Sequence, residues 1–167
     1  MSKMILATNN NGGLGINNTI PWHSTADFKH FKEETTGKIV VMGYNTWKSL
    51  PRRPLPGRLN IVLLSRDYTN RDIVDSDPSV LFMSESLIFS IIHHNPDCVI
   101  IGGARIYKLA LPFIDTIVLS TINDDTDCDT FFNLESHAKE NCIKLELSKV
   151  KVLDDGTLVE YWNKLEF

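Results

Sequence analysis

The sequence predicts an α/β fold, and three observations point to it. Short runs rich in Val and Ile alternate with stretches that read as turns or helices, the pattern of strands buried on both faces between helices. Two of those runs, in "IVVMGYNTWKSL" and "CVIIGGARIY", end in glycine just before a helix start. The tail "KLELSKVKVLDDGTLVEYW" differs, alternating apolar and polar residues on both sides of Asp155-Gly156.

Taken in chain order, the first strand is expected at 4–8, an aliphatic run without a breaker. "NNNGGLGINN" at 9–18 is expected to be a mobile loop beside a site, since Gly supplies backbone freedom and Asn tolerates left-handed geometry. Helices are expected at 25–35, 45–50, 84–93 and 104–110, each opening near a small, polar or Gly residue able to satisfy free backbone donors. Further strands are expected at 39–42, 60–64, 80–83, 98–101 and 116–122. Asp155-Gly156 is a two-residue hairpin signal, so the chain should close on an antiparallel edge. No repeat or linker interrupts the pattern, and residues 1–167 are expected to form a single domain.

Composition limits the function classes. With 43% hydrophobic and 23% charged residues the chain can bury a core, and no apolar run is long enough for a membrane span. "MSKMILATNN" lacks the charged and long apolar regions of a signal peptide, so a cytoplasmic protein is expected. Cys98, Cys128 and Cys142 show no C-x-x-C spacing, which suggests neither a disulfide framework nor a zinc site. The net charge of −4 gives no footprint for nucleic acid, so an anionic ligand must be held locally. Basic residues do gather in "LPRRPLPGR", at Arg52, Arg53 and Arg58.

Asp27 poses the sharpest question, because "IPWHSTADFKHFKEET" places an acid beside Phe28 and Phe31 at a helix start. One reading is a capping box, Ser24-x-x-Asp27, in which the carboxylate returns to the cap amide. The other starts from Asp27 and Phe31 lying one turn apart on one face. If Phe31 packs inward the carboxyl follows, and burial makes it useful in proton chemistry or in gripping an amidine-like edge. Trp22 is either core filling or an indole N–H in need of a partner. Gly102-Gly103 is either a tight turn or a bare helix start that could meet a phosphate. Gly43 with Asn45-Thr46 repeats that geometry, and two such turns on neighbouring strands would mark the carboxyl edge where open α/β sheets bind nucleotides. Ser65 and Arg66 after the third strand suit a ribose phosphate, unless Arg66 is merely solvated beside Asp67. His93-His94 complements the carbonyl end of a helix and finds no further ligands at metal spacing, so no metal is expected. No G-x-S-x-G motif or Cys–His pairing marks a nucleophile, and "LFMSESLIFSIIHH" reads as a core helix face.

"LGINNTIPWHSTADFKHFK", "VMGYNTWKSL", "RPLPGR" and "VIIGGARIY", in that order, closely resemble the dihydrofolate reductase family. The likeness covers nearly the whole chain, including the late "CDTFF" and the aromatic C-terminal strand. Motifs in register at the right intervals are far more specific than any one alone. The resemblance implies a twisted, mainly parallel eight-stranded sheet flanked by about four helices, ending in an antiparallel hairpin. It implies NADPH as cofactor, a hydride delivered to C6 of 7,8-dihydrofolate, a proton to N5, and a role in one-carbon metabolism and thymidylate synthesis. The partners it implies are dihydrofolate and antifolate inhibitors, bound by a monomer without nucleic acid or membrane.

By matched position, Asp27 corresponds to the family's acid, Trp22 to the residue that holds water, and Ser120 to the support of the carboxylate. Ile5, Asp27, Phe28, Phe31, Leu50, Leu55, Arg58 and Ile101 correspond to the substrate cleft, with Arg58 on the glutamate α-carboxylate. Ala7, Gly15, Ile16, Ile20, Gly43, Thr46, Ser65, Arg66, Gly102, Gly103, Ala104, Arg105, Ile106 and Tyr107 correspond to cofactor contacts, and the family joins the two glycines by a cis peptide. Departures are specific. Tyr44 stands where many relatives carry a basic residue, which leaves more of the 2′-phosphate recognition to Ser65 and Arg66. Ser120 replaces the usual threonine but keeps the hydroxyl. Ile20 holds a lid position often occupied by Met or Leu, and Cys128 a loop position often occupied by Gly. The rival readings are a relative reducing another pteridine-like or ribitylamino-pyrimidine substrate and a noncatalytic binding protein that keeps the cleft.

Overall fold

The computed structural model describes residues 1–65 and 76–166. The chain begins with β1 (Lys3–Thr8) and a short β2 (Gly13–Gly15), then α1 (Thr25–Thr35), β3 (Ile39–Gly43), α2 (Tyr44–Ser49) and β4 (Leu59–Leu64). It continues through β5 (Val80–Ser84), a 3₁₀ turn at Glu85–Leu87, α3 (Ile88–His94), β6 (Val99–Gly102) and α4 (Ala104–Ala110), which runs into a 3₁₀ turn at Leu111–Phe113. β7 (Thr116–Thr121), β8 (Thr130–Phe131), α5 (Leu134–Glu140), β9 (Leu145–Val152) and β10 (Leu158–Lys164) complete it. Among the described residues no helix is long and apolar enough to cross a membrane.

Eight strands form one sheet in the order β5-β4-β3-β6-β1-β7-β10-β9. All neighbours are parallel up to β7, and β10 and β9 then add antiparallel. The apolar runs divide by residue parity, as strands require. Met4, Leu6, Val41, Ile61, Leu63 and Ile100 meet α3, α4 and α5 on one face. Ile5, Val40, Met42, Val62, Val99 and Ile101 point to the other, where Trp47 of α2 and Phe31 of α1 cover them. Burial on both faces is why those runs carry no polar alternation.

Most predicted elements stand where expected, with several corrections. The tail connection is not a two-residue turn. The Leu153 amide donates to Thr157 O and the Gly156 amide to Leu153 O, each at 2.9 Å, with Gly156 at φ +85°. That is a three-residue loop with glycine in the left-handed position. The Asn-rich segment is not wholly loop, since Gly13–Gly15 pairs with β8 in a small second sheet. The expected helix at 84–93 opens as a 3₁₀ turn. Only Ile88, Ile91 and Ile92 of its apolar face are buried, while Phe89 stays 54% exposed against Phe113. α5, β2 and β8 have no counterpart in the sequence reading.

Candidate active site

Asp27 is placed by the start of α1. Ser24 caps the helix, its Oγ accepting the Asp27 amide at 3.1 Å, and it donates to Asp155 of the β9–β10 connection. Among the described residues the capping box therefore forms in one direction, and the buried Ser120 of β7 lies near enough to the Asp27 carboxyl to favour its charged form. Burial raises the Asp27 pKa above the ordinary aspartate value. The Ser120 hydrogen bond and the nearby His30 ring pull it down in part, and Asp155 pushes it further up. Ser120 pairs in register with Ala7 of β1, itself partly exposed at the strand end. Pro21 and Trp22 are partly buried just ahead of the Ser24 cap.

The apolar residues predicted to wall the substrate cleft separate into two groups. Ile5, Phe31, Leu50, Leu55 and Ile101 share one cluster on the α1–α2 face of the sheet. Phe28 stands apart, 48% exposed with its ring 5.4 Å from His23. Arg58 precedes β4 and is buried, donating through Nε to Pro56 O and through Nη1 to Thr35 Oγ1, both at 2.9 Å. Among the described residues no carboxylate pairs with it. Burial lowers its pKa, the sign that a cation has been taken out of water.

The two glycine turns lie side by side, because β3 pairs β6 with Met42 opposite Gly102. Gly43 and Gly103 are the caps of α2 and α4, and among the described residues neither helix start receives a side-chain cap. A Cβ at Gly43 would stand 3.0 Å from Ile106, and one at Gly103 would stand 3.3 Å from Thr46 Oγ1. At Gly102 it would lie 3.1 Å from the Tyr107 hydroxyl, and φ is +130°, a conformation that side chains avoid. The Gly102–Gly103 peptide is cis. The Tyr107 hydroxyl is buried within 2.8 Å of Ile5 O and 2.9 Å of Ile101 O, tying the ends of β1 and β6 together. Burial pushes its pKa up, and the Asp27 charge adds to the rise.

The loop that follows β1 is built by its own side chains. Asn9 Oδ1 accepts the Asn11 and Gly13 amides at 3.0 and 2.9 Å, and Asn9 Nδ2 donates to Thr126 O at 2.8 Å. The Gly15 carbonyl accepts the Asp129 amide at 3.0 Å, and Ile16 and Thr19 exchange amide bonds at 2.9 Å. Ile20 projects outward, 55% exposed. Cys128 sits against Gly13, where a Cβ would come within 2.4 Å of its sulfur. Ser65 is partly buried just after β4, while Arg66 lies outside the described residues. Ala104 is partly buried at the first position of α4, and Arg105 forms a bidentate pair with Glu85, Nε at 3.1 Å and Nη2 at 2.5 Å. Tyr44 carries the Lys48 ammonium 4.9 Å over its ring.

Sequence reasoning missed Glu85, Asn9, and a set made of the buried His30 with the partly buried Glu34, Tyr161 and Lys3. Asn9 could have been found, since Asn before Gly signals a side-chain-to-backbone turn. The others meet only through strand pairing and helix docking.

A partly buried acid at a helix start, an apolar cluster on one face of the sheet and two glycine-capped helix starts at the carboxyl edge of its parallel strands define an α/β protein of the nucleotide-binding class. Comparison narrows this. The dihydrofolate reductase family model matches residues 1–150. A dihydrofolate reductase of Buchnera aphidicola from Acyrthosiphon pisum is 36% identical over 130 residues, covering 78% of this chain and 77% of that protein. One from Neisseria meningitidis serogroup A is 33% identical over 98% of this chain and 97% of its own length. Among solved structures, a dihydrofolate reductase from Enterococcus faecalis complexed with NADP(H) and RAB-propyl superposes with TM-score 0.77. Its sequence is 26% identical, over 99% of this chain and 97% of that one. The chain belongs to the dihydrofolate reductase family.

Proposed function

We propose that these residues carry out the family's NADPH-dependent reduction of 7,8-dihydrofolate to tetrahydrofolate, with Asp27 as the acid that serves the pterin. When bound, NADPH supplies the hydride. The residues present fit it, because packing against Ile106, Tyr107 and Thr46 leaves Gly43, Gly102 and Gly103 as bare backbone at two helix starts. Thr46, Ser65 and Arg66 are the proposed hydroxyl and guanidinium contacts to its phosphates. Gly15, Ile16 and Ile20 are proposed to close over it, while Ala7, Ala104, Arg105, Ile106 and Tyr107 line its seat.

Asp27 is the observation that carries the reading. Its carboxylate can accept two parallel hydrogen bonds from the 2-amino and N3 edge of a pterin, and Ser120 fixes the orientation. Burial makes it hold a proton at higher pH than an exposed aspartate, which suits delivery to N5 through a water held near Trp22. Ile5, Phe28, Phe31, Leu50, Leu55 and Ile101 exclude solvent from the ring. Arg58, buried and braced by Thr35, is the proposed partner of the glutamate α-carboxylate, a fork-shaped contact that lysine makes poorly. We place the protein in the cytoplasm as a monomeric single domain. Loss of NADPH absorbance on addition of dihydrofolate tests the activity. Ligand binding without turnover would favour a noncatalytic role.

A further inference from the structure

The side chains that α1 buries are His30 and Thr35, not aliphatics. Asp27, His30 and Glu34 fall along one stripe of the helix, spaced as i, i+3 and i+7. A hydrocarbon at position 30 would be cheaper to bury, since a polar ring out of water needs partners. His30, only 3% exposed, has them on one side alone. Its Nε2 lies 2.9 Å from the Tyr161 hydroxyl of β10 and 3.6 Å from Glu34 Oε1, while its buried Nδ1 has no hydrogen-bond partner among the described residues.

The proton positions follow. Tyr161 has one hydroxyl proton and gives it to Glu34 Oε1 at 3.2 Å, so its oxygen receives from His30, and the ring keeps its hydrogen on Nε2. The second Glu34 oxygen takes Lys3 Nζ of β1 at 2.5 Å. Burial pushes the Glu34 pKa up, but the Lys3 hydrogen bond and charge, with Tyr161 and His30, outweigh it and hold the carboxyl below its ordinary range. Burial and then the Glu34 charge push Tyr161 up to about 12, which keeps it a neutral donor. The other charges facing this set are Asp27 on the same helix, Glu33 toward Tyr161 and Asp155 toward Asp27. From β9, Lys149 Nζ stands 5.3 Å over the Tyr161 ring.

We infer that His30 is a positioning residue for Asp27: the bare Nδ1 is the ring's second protonation site, and the ring, braced by Tyr161, Glu34 and Lys3, couples its charge to that of the acid one helical turn away. The inference rests on the reading of Asp27 as the acid of the reaction. An imidazolium at His30 favours the Asp27 carboxylate, and that carboxylate favours the imidazolium, so each titration depends on the other by the same amount.

The test is an NMR titration of the ligand-free protein that follows the His30 ring nitrogens and the Asp27 carboxyl carbon, beside the pH profile of dihydrofolate-dependent hydride transfer. His30→Gln keeps an amide N–H for Tyr161 but takes up no proton. It is expected to move the Asp27 titration up by about half a pH unit and to speed hydride transfer about threefold over the pH range in which Asp27 is ionised while His30 still carries its second proton. Asp27→Asn is expected to move the His30 titration down by the same amount. Titrations that stay put in both variants, with rate lost evenly at every pH, overturn the inference and leave His30 a packing residue. If His30→Gln does not fold, the His30 titration in Asp27→Asn decides alone. Absence of NADPH oxidation by dihydrofolate in the unsubstituted protein strikes the functional reading instead, and the two titrations still decide the coupling.

Discussion

Asp27 sits where burial and its proposed role pull against each other. Its folded pKa is raised, so the stability tied to its protonated form is present below the ordinary carboxylate range and lost as pH rises through the folded value. Asp27→Asn should therefore melt about 2–4 °C higher than the unsubstituted protein at neutral pH, with the gap closing in acid. Calorimetry at both pH values checks this, and a variant less stable at neutral pH would contradict the burial argument. Arg58 makes a parallel case with opposite charge. Arg58→Ala should weaken folates and antifolates that carry a glutamate about 10²-fold, measured by competitive binding, while compounds lacking it shift little. Equal losses for both would move the tail site elsewhere. Asp27 beside Phe31 was legible as a tension in the sequence because both lie on one helical turn. Its partner Ser120 was legible only through family resemblance, being set opposite by a strand far along the chain.

At the scale of elements, glycines decide what can approach what. Gly102→Ala should cost about 1–2 kcal/mol from the left-handed backbone alone and should push on the Tyr107 hydroxyl that ties β1 to β6. Denaturant unfolding reads the stability loss, and NADPH binding should fall with it. Gly13 and Cys128 are complementary in a different way. Gly13→Ala should destabilise the loop pairing between β2 and β8, and Cys128→Ala in the same chain should restore part of the loss, since the added Cβ meets that sulfur. A double-mutant cycle with no coupling would show that the loop yields instead. The paired strand-to-helix turns were readable in "VMGYNTW" and "VIIGGARIY" because the same strand–glycine–helix pattern occurs twice, where either alone reads equally as a tight turn. The tail turn was misread in length, since Asp-Gly serves both two-residue and three-residue hairpins and only the bonds across Leu153 and Thr157 separate them. β2 and β8 could not be read at all. They are too short to show a period, and each exists only through the other.

Across the whole molecule, the parallel sheet was predictable from apolar runs without alternation, which need cover on both faces. The order of the strands was not, because nothing local states that β6 lies between β1 and β3. That placement is what creates the site, bringing Gly102 beside Gly43 and setting Tyr107 between Ile5 and Ile101. The same limit hid His30, whose partner Tyr161 is 131 residues away. The account depends on one sheltered carboxyl promoting protonation of the ring while the nicotinamide reduces it. Hydride transfer to dihydrofolate, followed across pH in the unsubstituted protein and in Asp27→Asn, tests that most directly. The unsubstituted protein should slow as pH rises through the raised Asp27 pKa, and the variant should be about 10²-fold slower at neutral pH with that dependence gone. A variant that turns over at a near-normal rate, with the same pH profile, would contradict it.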